Sequence, residues 1–141
     1  MNNQFSIIGA AHLDALVEGI DEEKLRLGSA PAEQIRLGYG GDALNEAITL
    51  TRLGGKADLI SKIGLDGAGD MVLSFCQASG LPTARIAREE ALSTSMNIVL
   101  VDRAGERRFI TDPKSSLRAL SLADVLPQVD SLAPVVCFAS L

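Results

Sequence analysis

Three short, nearly continuous apolar runs set the terms on which this chain can fold: Phe5–Gly9 (FSIIG), Ala57–Ile63 (ADLISKI) and Pro134–Leu141 (PVVCFASL). A half-exposed strand alternates apolar and polar residues, whereas a strand covered on both faces does not need to. Such runs therefore predict central strands of a parallel sheet. Parallel neighbours must be joined by crossovers, and the stretches between the runs supply them. In Asp42–Leu53, Ala43, Ala47 and Leu50 form one stripe with Leu44, Ile48 and Thr51 beside it, the spacing of a buried helical face, and Gly54-Gly55 stops the helix. Asp66 is placed to cap a second helix reaching about Ser79. Met71, Val72, Phe75 and Ala78 would face the core, and Gly80 and Pro82 end the helix. The β-α-β-α order predicts a three-layer α/β fold with a mostly parallel sheet.

The remaining segments read as additions to that sheet. His12–Gly19 alternates loosely, as a half-exposed strand does; residues 20–34, polar and containing Pro31, read as a loop or excursion; Gln34–Leu37 is a brief alternating strand. Arg85–Ala87 is a short candidate strand. Thr94–Val101 and Glu106–Thr111 flank Asp102-Arg103-Ala104-Gly105, a hairpin signal. Ser121–Val129 is a short helix with Ser121 as its cap. Segments 12–37 and 94–111 would project from the main sheet as a small β lid. No crossover follows the run at 134–141, so residues 1–141 are expected to be the N-terminal part of a single longer domain.

Composition narrows the function classes. The chain has 141 residues, 47% hydrophobic and 22% charged, which suits one globular unit. Its net charge is −5, and the basic residues are scattered apart from Arg107-Arg108, so a nucleic-acid footprint is not expected. No run approaches the roughly 18 apolar residues of a membrane span, and the start MNNQFSIIGAA lacks the pattern of a signal peptide. Cys76 and Cys137 read as reduced core residues, and the expected setting is cytoplasmic. A single histidine and no clustered cysteines give a transition-metal site little support.

Gly38-Tyr39-Gly40-Gly41-Asp42-Ala43-Leu44-Asn45-Glu46-Ala47 is the stretch with chemistry in it. Glycines at 40 and 41 permit positive φ and close approach of a ligand, and the helix start beyond them offers unpaired N–H donors. One reading is a dinucleotide turn, since Gly38-x-Gly40-x-x-Ala43 satisfies the fingerprint and Asp58 lies 20 residues after Gly38. Against it, EQIRL is not a buried strand, and Asp42 puts negative charge where a pyrophosphate would dock. No GxxxxGK[ST] occurs. The other reading is a polyol floor, because Asp42 and Asn45 give and receive hydrogen bonds as sugar hydroxyls do. His12 and Asp14, two apart on an extended segment, would add a second wall. An ordinary helix cap at Asp42, a buried structural amide at Asn45 and a merely packed His12 remain the plain alternatives.

Gly40-Gly41-Asp42-Ala43-Leu44-Asn45-Glu46-Ala47, the helix end Arg52-Leu53-Gly54, and Ile63-Gly64-x-Asp66-x-x-Gly69-Asp70 together resemble the N-terminal signature of the ribokinase-like sugar kinases, the PfkB family. Gly9-x-x-x-x-Asp14 and the hairpin strand Thr94–Val101 fit the same pattern, so the resemblance spans essentially the whole chain. It implies transfer of the ATP γ-phosphoryl to a sugar or nucleoside hydroxyl with Mg²⁺. It also implies a ribokinase-like fold, sugar contacts at Asp14, Gly40, Gly41 and Asn45, and a lid closing over them. Asp42, His12 and Asn97 are added as substrate-contact candidates. His12 and Asp42 stand where ribokinases proper carry Asn and Lys, so ribose is not implied.

Gly67-Ala68-Gly69-Asp70 repeats the letters of that family's catalytic Gly-Ala-Gly-Asp, but its surroundings match the N-terminal segment instead. The expectation is structural: Asp66 caps a helix and the glycines relieve crowding. No catalytic residue or metal ligand is then assigned here, and no ATP or Mg²⁺ contact. The catalytic and nucleotide-binding part would lie in a missing C-terminal half, leaving this chain the sugar-binding and lid portion of a kinase, inactive alone. The lid sheet is available as a homodimer interface. The alternatives are a non-enzymatic sugar-binding or regulatory fragment, a Rossmann-like nucleotide-binding domain, and a fragment that folds poorly and does nothing alone.

Overall fold

The computed structural model describes residues 4–139. Strands β1 (Gln4–Gly9), β4 (Lys56–Gly64), β5 (Ile86–Glu89) and β8 (Val135–Ala139) form a four-stranded sheet in the order β5-β4-β1-β8. All its pairings are parallel. The first two runs become the inner strands β1 and β4, as their pattern predicts. The third becomes β8, an edge strand with Val135, Val136 and Phe138 exposed and not a central strand covered on both faces, because only β1 pairs with it among the described residues; its Ser140 and Leu141 lie outside them.

The inner strands β1 and β4 are buried on both faces. Ile7, Leu59 and Ile63 pack in one cluster with residues of helices α2 (Asp42–Arg52) and α3 (Gly67–Ala78). Ile8 and Ile60, paired in register and one residue out of phase with that cluster, are also fully buried. The predicted face of α2 holds, with Ala43, Leu44, Ala47 and Ile48 buried. That of α3 holds in part: Val72 is buried and Phe75 packs against the core. Its buried residues are Gly69, Val72 and Cys76, while Met71 and Ala78 face solvent. Small Gly69 sits innermost because the helix start crowds the end of β4, which rotates the apolar stripe away from the one that bulk alone suggests. Both cysteines are free thiols; burial pushes that of Cys76 up to about 11.

A second four-stranded sheet carries the segments expected to form a lid, in the order β3-β2-β6-β7: β2 (His12–Ile20), β3 (Gln34–Gly40), β6 (Met96–Asp102) and β7 (Arg107–Ile110). Two details depart from expectation. The 20–34 excursion contains a short helix, α1 (Glu22–Arg26), whose cap Asp21 accepts a hydrogen bond from the Lys24 N–H. At five residues it is too short to show a period. And β3 runs on to Gly40 instead of ending at Leu37, in antiparallel register with β2 (His12 opposite Gly40, Asp14 opposite Gly38), so only Gly41 breaks the strand. The hairpin between β6 and β7 closes as predicted, with Asp102 Oδ1 accepting from the N–H groups of Ala104 (2.8 Å) and Glu106 (2.9 Å).

Ser121 caps α4 (Leu122–Val125) through a reciprocal bond with Asp124, and the chain continues as a 3-10 turn, Leu126–Ser131, since Pro127 has no N–H to extend an α-helix. No helix among the described residues is long and apolar enough to cross a membrane.

Candidate functional site

The two sheets meet where β1 ends, where β2 begins and where β3 turns into α2. The carboxyl ends of parallel strands are where open α/β sheets leave a crevice, and here the crevice is a cleft of 580 Å³ roofed by the second sheet. His12, Asp14, Gly40, Gly41, Asp42, Asn45 and Asn97 all line it. Every substrate-contact candidate from the sequence is therefore brought to one place, from β2, the β3–α2 turn, α2 and β6.

Asp14 is the most constrained of them. Its Oδ1 accepts from Asn97 Nδ2 and from His12 Nε2, each at 3.2 Å. Asp14 and Asn97 are register partners on β2 and β6, which is why the pair can form. His12 and Asn97 are buried, and His12 Nδ1 and Asn97 Oδ1 have no hydrogen-bond partner among the described residues. Burial holds the His12 imidazole below its ordinary value of 6.5, outweighing the nearby charges of Asp14 and Asp42. At neutral pH the ring is uncharged: Nε2–H donates to Asp14, and Nδ1 is an acceptor.

The glycines explain the shape of the floor. A Cβ at Gly40 would lie 2.4 Å from both Asp14 Oδ2 and His12 Nε2, so a side chain there would occupy the space of the two functional groups. At Gly41, φ is +101° and a Cβ would meet the Ala10 carbonyl at 2.2 Å, which leaves glycine as the fitting residue on two counts. Gly41 is the N-cap of α2 with no side-chain capping bond. Asp42 is thus not an ordinary N-cap but the first helical residue. Asn45, one turn on and exposed, is not a buried structural amide.

The sequence reading missed Ala10, Arg107, Phe109, Leu117 and Arg118, which also line the cleft. A signal for two of them existed. Val99 and Val101 share a strand face with Asn97 and lie opposite Phe109 and Arg107, so extending the predicted hairpin's register would have carried Asn97's face across to β7. Arg118 ends a 3-10 turn, Ser116–Arg118, with no sequence pattern to announce it.

Gly67-Ala68-Gly69-Asp70 lies elsewhere. Asp66 caps α3, accepting from the Gly69 N–H at 2.8 Å, while its other oxygen accepts from the Thr94 N–H at 2.8 Å. A Cβ at Gly69 would crowd the Gly64 carbonyl at 2.5 Å. Asp70 is bound to Arg88 at 2.8 Å and is not part of the cleft lining. Burial alone would raise the Asp66 carboxyl; hydrogen bonds from Thr94 and Gly69 and the charge of Arg88 hold it below its ordinary value. The dinucleotide layout is also absent at Gly38–Ala43, because β3 belongs to the second sheet, antiparallel to β2, and not to the parallel sheet.

A family model described as pfkB family carbohydrate kinase matches residues 5–135. The 2-dehydro-3-deoxygluconokinase of Haemophilus influenzae is 28% identical over 95 residues, 64% of this chain and 30% of that protein. The pseudouridine kinase of Escherichia coli is 33% identical over 100 residues, 71% of this chain and 31% of that one. Fructokinase-2 of Solanum lycopersicum is 34% identical over 71 residues, 50% of this chain and 22% of that one. Among solved structures, an uncharacterized sugar kinase from Pyrococcus horikoshii in complex with ATP superposes with a TM-score of 0.79 at 24% identity, over 95% of this chain and 42% of that one. The chain spans less than half the length of these relatives.

Proposed function

Since the chain belongs to the pfkB family of carbohydrate kinases, we propose that its cleft binds a sugar or nucleoside as the phosphate acceptor of an ATP-dependent kinase. The observation that carries this reading is the preorganised Asp14. One oxygen is held by His12 and Asn97, which leaves Oδ2, beside the bare backbone of Gly40, to accept a bond from an acceptor hydroxyl. Asn45 and the N–H groups at the start of α2 supply donors, and Asp42 supplies a further acceptor. A donor and acceptor set of this kind fits a polyol, whose hydroxyls do both. The relatives named as kinases of a sugar acid, a nucleoside and fructose agree on hydroxyl-bearing acceptors without selecting one.

In the reaction, the chain's own residues position and shield. The floor orients one hydroxyl, and the β2-β3-β6-β7 sheet closes over it; positioning of this kind, with electrostatic stabilisation, accounts for most of the catalysis in phosphoryl transfer. Bound ATP supplies the phosphoryl group and Mg²⁺ offsets its charge, but neither is assigned to a residue here. The described residues contain no group of three or more His, Cys, Asp or Glu that could hold a metal ion. The general base and the nucleotide site are proposed to lie outside this stretch. In favour of that are Asp70's commitment to Arg88 and the short span relative to the kinases matched.

The working setting proposed is the cytoplasm, without membrane or nucleic-acid partners. A homodimer through the lid is part of the reading, because Ile35, Leu37, Met96, Ile98 and Ile110 leave one face of that sheet apolar and exposed. The test is incubation with ATP, Mg²⁺ and a panel of sugars and nucleosides, with ADP as readout and calorimetry for binding. Acceptor binding without ADP formation is expected. Sustained turnover abolished by Asp70→Asn would overturn the division of roles and make Asp70 the base.

A further inference from the structure

Among the described residues, five arginines are engaged by carboxylates: Arg36 by Glu18, Arg85 by Asp58, Arg88 by Asp70, Arg103 by Glu33 and Arg108 by Glu22. Arg107 and Arg118 instead line the cleft, and no such ion pair involves either of them among the described residues. They arrive from separate elements. Arg107 opens β7 opposite Val101, on the strand face that also carries Phe109. Arg118 ends a 3-10 turn that is firmly anchored: Ser116 is buried, its N–H donates to the Ser93 carbonyl at 2.8 Å, and its hydroxyl accepts from the Ser95 N–H at 2.9 Å.

Two arginines lining one cleft of a chain with net charge −5 ask for a chemical reason. A neutral polyol gives none, since its hydroxyls are already matched by the Asp14, Asn45 and backbone groups of the floor. Guanidinium forks match planar carboxylate and phosphate oxygens two at a time. The carboxylates of Asp14 and Asp42 would turn an anion away from the floor, which leaves the arginine side as the place for it.

We infer that the acceptor taken by this cleft carries an anionic group, a carboxylate or a phosphate ester, received by Arg107 and Arg118 while its hydroxyls meet the floor. This rests on the acceptor-cleft reading above and deepens it. The opposed charges of floor and roof then fix which end of the acceptor is presented for phosphorylation.

The test is calorimetric titration of the full chain with three series of six-carbon probes: neutral sugars and polyols, sugar acids, and hexose monophosphates. One anionic series is expected to bind at least about tenfold tighter than its neutral counterpart, a difference of one charge-assisted pairing. Which series it is tells carboxylate from phosphate. Arg107→Gln and Arg118→Gln are each expected to cut that preference about tenfold, with melting temperature as the check on folding. Neutral sugars binding as well as their acids and phosphates, with both variants indifferent, would overturn the inference and leave the acceptor cleft standing. Variants that weaken ATP binding alone would also overturn it, since the arginines would then serve the phosphoryl donor. If no probe of any series binds, the acceptor reading falls and this inference with it.

Discussion

Asn97 Nδ2 lies 3.2 Å from Asp14 Oδ1, a contact between residues 83 positions apart in the sequence. The two strands that hold them are neighbours in the second sheet, so forming that sheet and aiming the carboxylate are one event. Removing the amide in Asn97→Ala should leave Asp14 with His12 alone and let its side chain rotate. Acceptor binding is expected to weaken about tenfold, the usual worth of a hydrogen bond to a charged group. Calorimetry against the wild-type chain checks it; undiminished affinity would mean that Asn97 does not position Asp14.

Gly40→Ala places a methyl group against Asp14 Oδ2 and His12 Nε2. Gly41→Ala instead strains the backbone at φ +101° and meets a carbonyl. The two should separate cleanly. Gly40→Ala is expected to lose binding with little change in melting, because the atoms it displaces are side-chain ends. Gly41→Ala is expected to lose stability, by about 1–3 kcal/mol. Thermal unfolding and titration of both variants give the comparison.

Asp66 joins the start of α3 to the foot of β6 through bonds from Gly69 and Thr94. Its carboxyl is held below the ordinary 3.8, so its contribution to stability is fully present above that value and is lost as pH falls through the native pKa. Asp66→Asn should cost about 1 kcal/mol at neutral pH, the value of a helix cap, and the gap to wild type should close below pH 3.8. Denaturant titrations across that range test the sign. A gap that widens on acidification would contradict it.

His12 is the chain's one histidine, which makes its titration separable. Burial depresses its native pKa, so below pH 6.5 the unfolded chain takes up a proton that the folded chain resists, and stability should decline. The groups facing the ring, Asp14 and Asp42, limit the effect but do not reverse it. In His12→Asn the slope of melting temperature against pH between 6.5 and about 5 should flatten.

Much of this architecture was legible because burial on both faces leaves a pattern in sequence. Ile7, Ile8, Leu59 and Ile60 could be read as inner strands, and the period of Ala43, Leu44, Ala47 and Ile48 as a helix face. Cleft residues carried by glycine, carboxylate and amide within one turn, Gly40 to Asn45, were legible for the same local reason. What escaped depended on distance. The stripe of α3 turned on how close Gly69 comes to the Gly64 carbonyl, a contact no periodicity encodes. Arg107 needed the hairpin register, and Arg118 needed Ser116 to be tied to Ser93 and Ser95.

The central claim is that the cleft between the two sheets binds a hydroxyl-bearing acceptor through Asp14. The most direct measurement is calorimetric titration of the chain and of Asp14→Ala with the same panel of sugars, sugar acids, sugar phosphates and nucleosides. One-to-one binding of at least one compound is predicted, weakened about tenfold or more in Asp14→Ala at unchanged melting temperature. A panel that gives no binding, or binding that Asp14→Ala leaves intact, would contradict the account.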